Sequence, residues 1–135
     1  MQVYSDVAAY YLERLRAEDN SAAFFGLLES DSSVVPDLVA LYRSESDPSI
    51  REFAIEVLWQ RRDLSIIPLL GEALHDPNTA VWQQALDGLV ALASPESLAV
   101  LRQAQTKQFS KQGDAQEFRQ WIDEAIEQIE LKLKS

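Results

Sequence analysis

Between Asp47 and Leu92 the sequence encodes nearly the same helix twice. Matching apolar residues are separated by a constant interval of 31 residues, pairing Ile50 with Val81, Ala54 with Ala85, and Leu58 with Leu89. An Asp-Pro pair precedes each copy. A period in the range of roughly 20 to 50 residues is typical of repeat proteins, in which each unit buries its apolar face only by stacking on its neighbours. The sequence therefore predicts a repeat architecture.

Each copy has the pattern of an amphipathic helix. The apolar residues of the first copy follow the spacing i, i+3, i+4, i+7, i+8, at Ile50, Phe53, Ala54, Val57 and Leu58. An Asp before a Pro suits a helix start, because the carboxylate can cap free N–H groups and the fixed φ of Pro fits the first turn. Small residues at the centre of each stripe would let a neighbouring helix approach closely.

The flanking sequence predicts further helices of the same kind and no strands, since Gly and Pro are few and β-branched residues are not clustered in alternating runs. We therefore expect one all-α domain, an α-solenoid of about four antiparallel helix pairs in a right-handed superhelical stack. The predicted units are residues 4–30, 33–61, 63–93 and 95–134. Capping helices are expected at both ends, because a solenoid must close its exposed core.

The terminal units are more divergent. The rings of the first unit suggest an end cap and are Tyr4, Tyr10, Tyr11, Phe24 and Phe25. In the last unit, Phe109 is the expected anchor of a polar loop, and Asp114 is the expected N-cap of a long helix. Trp121 belongs to the apolar stripe of that helix and is therefore predicted to be part of the core.

The chain has 135 residues, 22 of them acidic and 12 basic, for a formal net charge of −10. A field of this sign repels nucleic acid and anionic membranes and attracts a basic protein or peptide. Cysteine is absent, which excludes disulfides and thiolate chemistry. No apolar run approaches the roughly 18 residues of a membrane span, and no leader pattern opens the sequence. A cytoplasmic location is expected.

Catalytic chemistry has little support in the sequence. His75 is the single histidine, and its place before the Asp76-Pro77 turn suits the end of a helix. There is no metal-ligand spacing and no glycine-rich phosphate loop, so no catalytic, cofactor or metal site is predicted. Glu52, Glu56 and Asp87 could act as paired carboxylates, but a solvated acidic face is the favoured interpretation.

Those three carboxylates frame the predicted binding surface. A rotation of roughly 100° per residue places Trp59 opposite the buried stripe, between Glu52 and Glu56 and beside Ile55. Apolar and aromatic residues bordered by carboxylates are typical of a protein-binding groove. The predicted site comprises Glu52, Ile55, Glu56, Trp59, Trp82, Gln83, Leu86, Asp87 and Val90. The alternative, that Trp59 or Trp82 packs beneath the next repeat, stays open.

The repeated units resemble HEAT repeats over about Val34 to Ala104. The first carries the Pro of the first helix, the Asp of the turn, an apolar-Arg pair and a small residue, at Pro36, Asp47, Ile50-Arg51 and Ala54. The second has matching residues at Pro68, Asp76, Val81 and Ala85 but departs from the pattern at Trp82, where the family usually has Arg. The resemblance implies stacked antiparallel helix pairs, second helices lining a concave face, and binding rather than catalysis.

Three functions are compatible with these observations. The leading hypothesis is a non-enzymatic interaction module that binds a basic protein or peptide, for example an immunity or inhibitor protein that neutralises a toxin. The second is a subunit similar to the HEAT-like phycobilin lyases, which handle a bilin and a phycobiliprotein. The third is a scaffold subunit of a homo-oligomer. The oligomeric state is left open, with a monomer favoured.

Overall fold

The computed structural model describes residues 5–17, 20–106 and 112–134. Within these ranges the chain is all-helical, which confirms the predicted fold class. A 3-10 helix, Leu64–Ile66, leads directly into the fifth α-helix. The α-helices are α1 Asp6–Arg16, α2 Asn20–Glu29, α3 Val34–Ser44, α4 Pro48–Gln60, α5 Ile67–Ala73, α6 Thr79–Leu92, α7 Pro95–Ala104 and α8 Gln112–Lys134.

The helices form two compact units, residues 1–63 and residues 64–135. In the first unit, α1 packs on α2 and α3 packs on α4, while α1 also contacts α3 and α2 contacts α4. The second unit repeats this plan with the pairs α5 and α6, and α7 and α8. There too the first helices of the pairs contact each other, as do the second helices, α6 and α8. Each second helix thus has at least two helical neighbours within its unit.

A glycine allows the close approach of α1 and α2. A Cβ atom built on Gly26 would lie 2.0 Å from a ring carbon of the half-buried Tyr11, so any side chain at this position would collide with the ring. The other aromatic residues expected to form the end cap differ in exposure: Tyr10 and Phe25 are exposed, whereas Phe24 is half-buried. Tyr4 lies outside the described residues, as does Phe109.

Polar side chains secure the helix ends of the first unit. Ser5 caps α1 by accepting a hydrogen bond from the Ala8 N–H, and its hydroxyl donates to the buried Asp37 carboxylate on α3 at 2.8 Å. The guanidinium of Arg61, just after α4, donates to three backbone carbonyls at the C-terminal end of α2, those of Leu27, Leu28 and Ser30. Carbonyls at a helix end lack intrahelical partners, so Arg61 ties the end of α4 to the end of α2.

The first residues of α4 and α6 are 31 residues apart, as the period predicts. The residue that caps α6, however, is not the predicted one. Asp47 caps α4 as expected, accepting from the Ser49 N–H at 3.0 Å. The cap of α6 is Asn78, which accepts from the N–H groups of Ala80 and Val81. Asp76 instead is buried and accepts the N–H of Asn78, so the Asp76-Pro77 pair belongs to the turn. The predicted cap was wrong because the second turn is two residues longer.

The last helix also differs from its predicted form. It begins at Gln112, so Asp114 lies inside the helix rather than at its cap. Its buried stripe runs through Phe118, Ile122 and Ile129, whereas Trp121 is 37% exposed and lies outside the core. The expectation of a core tryptophan was wrong, because Trp121 lies at the edge of the stripe, where one side of its ring meets Trp82.

Candidate functional site

Two apolar residues of the predicted binding surface are buried. Ile55 on α4 is 0% exposed and Leu86 on α6 is 3% exposed, so neither offers an apolar strip to a partner. The predicted angles assumed that each helix buries a single face. Because α4 packs on both α3 and α2, and α6 on both α5 and α8, a second face of each helix is covered.

The two tryptophans of the predicted surface have different surroundings. Trp82 is buried, with edge contacts to Phe118 at 5.2 Å and Trp121 at 5.9 Å between ring centroids. The alternative of a packed ring is therefore correct for Trp82. Trp59 is half-buried, and the guanidinium of Arg62 lies 5.8 Å from its ring centroid. Arg62 follows the end of α4 and has a left-handed backbone conformation, with φ of 62°. Its position near the ring is that of a cation–π contact.

Glu52 and Glu56 line an open groove between the second helices of the first unit, here called the α2–α4 groove. It encloses ≈ 1040 Å³, which is at the upper end of the size range of small-molecule pockets. Its other lining residues come from the end of α1, from α2, and from the start of α4: Leu15, Arg16, Asn20, Ser21, Phe24, Phe25, Asp47, Ser49, Ile50 and Phe53.

Three phenylalanines form the apolar part of this groove. Phe24 makes edge contacts with Phe53 on α4 and with Phe25, at centroid distances of 6.3 and 5.4 Å. Phe53 is at the boundary of the core, Phe24 is half-buried, and Phe25 is 57% exposed. The rings therefore extend from the core to the surface of the groove, and the outermost one is accessible to a partner.

The carboxylates of the α2–α4 groove differ in electrostatic environment. Burial raises the pKa of the Glu56 carboxyl, and the negative charge of Glu52 raises it further. Hydrogen bonds from the Ser49 hydroxyl and backbone N–H have the opposite effect, lowering the pKa of Asp47 at the start of α4. Arg16 also lines the groove, but its guanidinium pairs with Glu45 at 3.1 Å. The groove is thus acidic, and Glu56 is the carboxylate in it whose environment disfavours the ionised form.

A smaller groove of ≈ 300 Å³, the α6–α8 groove, lies between the second helices of the second unit. Asp87 and the half-buried Val90, two of the predicted site residues, line it. Partial burial raises the pKa of Asp87, although much of this side chain remains exposed. The groove is completed by Leu86, Ala91, Trp121, Glu124, Ala125 and Gln128. Gln83 is half-buried and lines neither groove.

Glu56 and Asp87 occupy the same position of the repeat, 31 residues apart. Each lines the groove of its own unit, each has a raised pKa, and each shares its groove with an exposed aromatic ring. Within the described residues, neither carboxylate forms a hydrogen bond or ion pair. Each unit therefore presents an equivalent, partly shielded carboxylate that has no protein partner among the described residues.

Sequence reasoning missed the aromatic residues that the neighbouring second helices contribute, Phe24, Phe25 and Trp121. The 31-residue register would have located the first two. Extended backwards, it aligns Ala23 with Ala54 and Ala85, and Leu27 with Leu58 and Leu89, all of which are buried. That alignment identifies α2 as a second helix. It also places Phe25 at the repeat position of Glu56 and Asp87.

In the described part of the chain, no cluster of three or more potential metal ligands occurs. In the same ranges, no helix is long and apolar enough to cross a membrane.

Comparison with protein families gives one result. A family model described as HEAT repeats matches residues 35–117, more than half of the sequence. The chain belongs to the HEAT-repeat family. No curated protein and no solved structure matches it. HEAT repeats are helical protein-interaction modules, and that general role extends to this HEAT-repeat protein.

The family pattern also explains Arg51. Its guanidinium donates to the Ser46 carbonyl at 2.8 Å and the Glu45 carbonyl at 3.3 Å, and so supports the turn between α3 and α4. Trp82 occupies the equivalent place 31 residues later, where the HEAT pattern usually has Arg. A tryptophan cannot make these bonds, and at this position the chain uses its ring to pack against α8 instead.

Proposed function

We propose that this HEAT-repeat protein is a non-enzymatic interaction module that binds a basic protein or peptide through carboxylates on its second helices. The observation that carries the proposal is the pair Glu56 and Asp87. They are equivalent in the repeat, partly shielded from water, and without a partner among the described residues.

A carboxylate that loses water without gaining a hydrogen bond or cation is unfavourable. An arginine or lysine of a partner would supply the missing opposite charge, and at such partly exposed sites a charge pair is worth about 0.2–1 kcal/mol. The net charge of −10 would accelerate encounter with a basic partner and disfavour acidic ones. Acidic residues in both grooves thus favour a cationic partner over an anionic one.

In its most specific form, the proposal is an inhibitor or immunity protein that neutralises a basic protein such as a nuclease toxin. The acidic charge of the chain supports this version. The residues proposed to contact the partner are Glu52, Glu56 and Trp59 on α4 of the first unit and, within the second unit, Asp87 and Val90 on α6. Ile55 is fully buried, and Leu86 adds only a 3% exposed side chain to the lining of the α6–α8 groove.

The test measures affinity for a fluorescent, capped hexa-arginine peptide by anisotropy at low ionic strength. The variant Glu56→Gln/Asp87→Asn should bind about threefold more weakly, since the peptide loses a partly shielded charge pair of about 0.7 kcal/mol in whichever groove it occupies. The matched control is Glu72→Gln/Glu96→Gln, which removes the same charge from exposed positions on the first helices α5 and α7. An equal loss in both double variants would show that only net charge matters and would contradict the proposal.

A further inference from the structure

The α2–α4 groove differs from the α6–α8 groove in volume and in the exposure of its aromatic ring. It is larger, at ≈ 1040 Å³ against ≈ 300 Å³, and its most exposed ring belongs to Phe25, which is 57% exposed. In the second unit, the ring of Trp121 is already in contact with the buried Trp82. The first groove therefore offers more space and a more exposed ring beside its carboxylates than the second groove does.

The apolar surface of the α2–α4 groove is held in place before any partner arrives. The edge contact of Phe24 with Phe53 anchors the innermost rings to α4, and Phe25 extends the same cluster outward. Ile50, which is half-buried, adds an aliphatic side chain to the lining of the groove. Covering such a surface returns about 25 cal/mol per Å² of apolar area removed from water, and little ordering is needed because the rings are already packed.

Charge decides what kind of apolar ligand can enter. Asp47, Glu52 and Glu56 line the same groove, and Arg16, the basic residue of the lining, is paired with Glu45. An acidic or neutral segment would bring no charge to compensate these carboxylates. A second copy of this chain is disfavoured for the same reason, since it would bring a net charge of −10 to an acidic groove.

We propose that the α2–α4 groove binds an amphipathic peptide segment of the basic partner, with an apolar side chain against Phe24 and Phe25 and an arginine or lysine beside Glu52 and Glu56. This inference rests on the proposed function and specifies which groove selects the partner. It predicts that the segment needs both parts. Basic residues alone would bind either groove weakly, and the apolar side chain would direct the segment to the first unit.

The experiment compares two capped, fluorescent five-residue peptides of identical charge. In one, arginine alternates with leucine, and in the other, serine replaces leucine. Wild-type protein should bind the leucine peptide about tenfold more tightly. Phe25→Ala should remove this preference while leaving the serine peptide's affinity nearly unchanged. Tyr10→Ala is the matched control, because Tyr10 is an aromatic residue of the same unit with similar exposure that lies outside the groove.

A second variant guards against an unfolded Phe25→Ala protein. Ser21→Arg adds a positive charge at an exposed position of the groove lining and should weaken the leucine peptide by at least about threefold and the serine peptide by less, with helical content by circular dichroism unchanged. Equal affinity of the two peptides for wild type, or a leucine preference that survives Phe25→Ala, would overturn the inference while leaving the proposed function standing. Failure of both peptides to bind would overturn both proposals.

Discussion

The two units place different residues at the same repeat position, Arg51 in the first and Trp82 in the second. Arg51 turns back to the carbonyls before α4, and aromatic rings from α2 remain at the surface of the groove. Trp82 packs inward on Phe118 and Trp121, and the groove beside it is smaller. The repeat therefore sets where a groove forms, whereas single substitutions within it decide whether aromatic surface is used for packing or is left accessible.

The largest expected effect concerns the packing of the second unit. Phe118→Ala should destabilise this unit by about 3–5 kcal/mol, since the ring is 1% exposed and its removal leaves a cavity against Trp82. Trp121→Ala should cost only about 1 kcal/mol, the worth of an edge contact at a partly exposed site. Urea unfolding followed by circular dichroism provides both values. Equal costs would indicate that Trp121 is a core residue after all.

Two glycine variants, with an effect of intermediate size, compare the helix contacts within the two units. Gly26→Ala should destabilise the first unit by about 1–3 kcal/mol, because the new methyl group meets the rigid ring of Tyr11. Gly71→Ala should be close to neutral. Its methyl group would lie 2.9 Å from one Val100 methyl, and a small shift there is offset by the gain in helix propensity of about 0.5–1 kcal/mol.

Thermal unfolding of the two glycine variants provides the comparison. Tyr11→Leu in the Gly26→Ala background is the control, since a smaller, more flexible side chain should recover part of the loss. A Gly26→Ala protein as stable as wild type would show that α1 and α2 separate easily, and would weaken the argument for a preformed groove beside α2.

The smallest effect is the pH dependence of Glu56. Its pKa in the folded protein is raised, so its ionised form opposes folding at neutral pH, and this penalty disappears as the pH falls through the raised pKa toward the ordinary value of 4.5. Glu56→Gln should therefore be slightly more stable than wild type at pH 7, with the difference closing by about pH 4.5. The urea midpoint at successive pH values measures this difference.

Two related variants test the cause of that pH dependence. In a Glu52→Gln background the difference should shrink, because the charge of Glu52 is one of its two causes. Asp87→Asn should show a difference of the same sign, caused by burial. Measurements should stay above about pH 4. At lower pH the hydrogen-bonded Asp47, whose pKa is lowered, becomes protonated, and the stability that its ionised form contributes is lost. A pH-independent difference for Glu56→Gln would contradict the proposed environment of this carboxyl.

Much of the fold could be predicted because its signals are local or periodic. The buried positions Ala54, Ala85, Leu58 and Leu89 follow directly from the 31-residue interval. The prediction failed where a side chain's environment depends on a second neighbour. Ile55 lies on a face that a single helix pair would leave open, and it is buried because α4 has two helical neighbours within its unit.

The sequence by itself determined the helix register, the Asp47 cap and the acidic charge, because these depend on neighbouring residues or on composition alone. Only the tertiary structure decided which carboxylates share a groove with aromatic rings. Phe25 and Glu56 lie on α2 and α4, and the whole of α3 separates them along the chain. Contact between second helices brings them to one groove, and a helical wheel drawn for one helix contains no information about that contact.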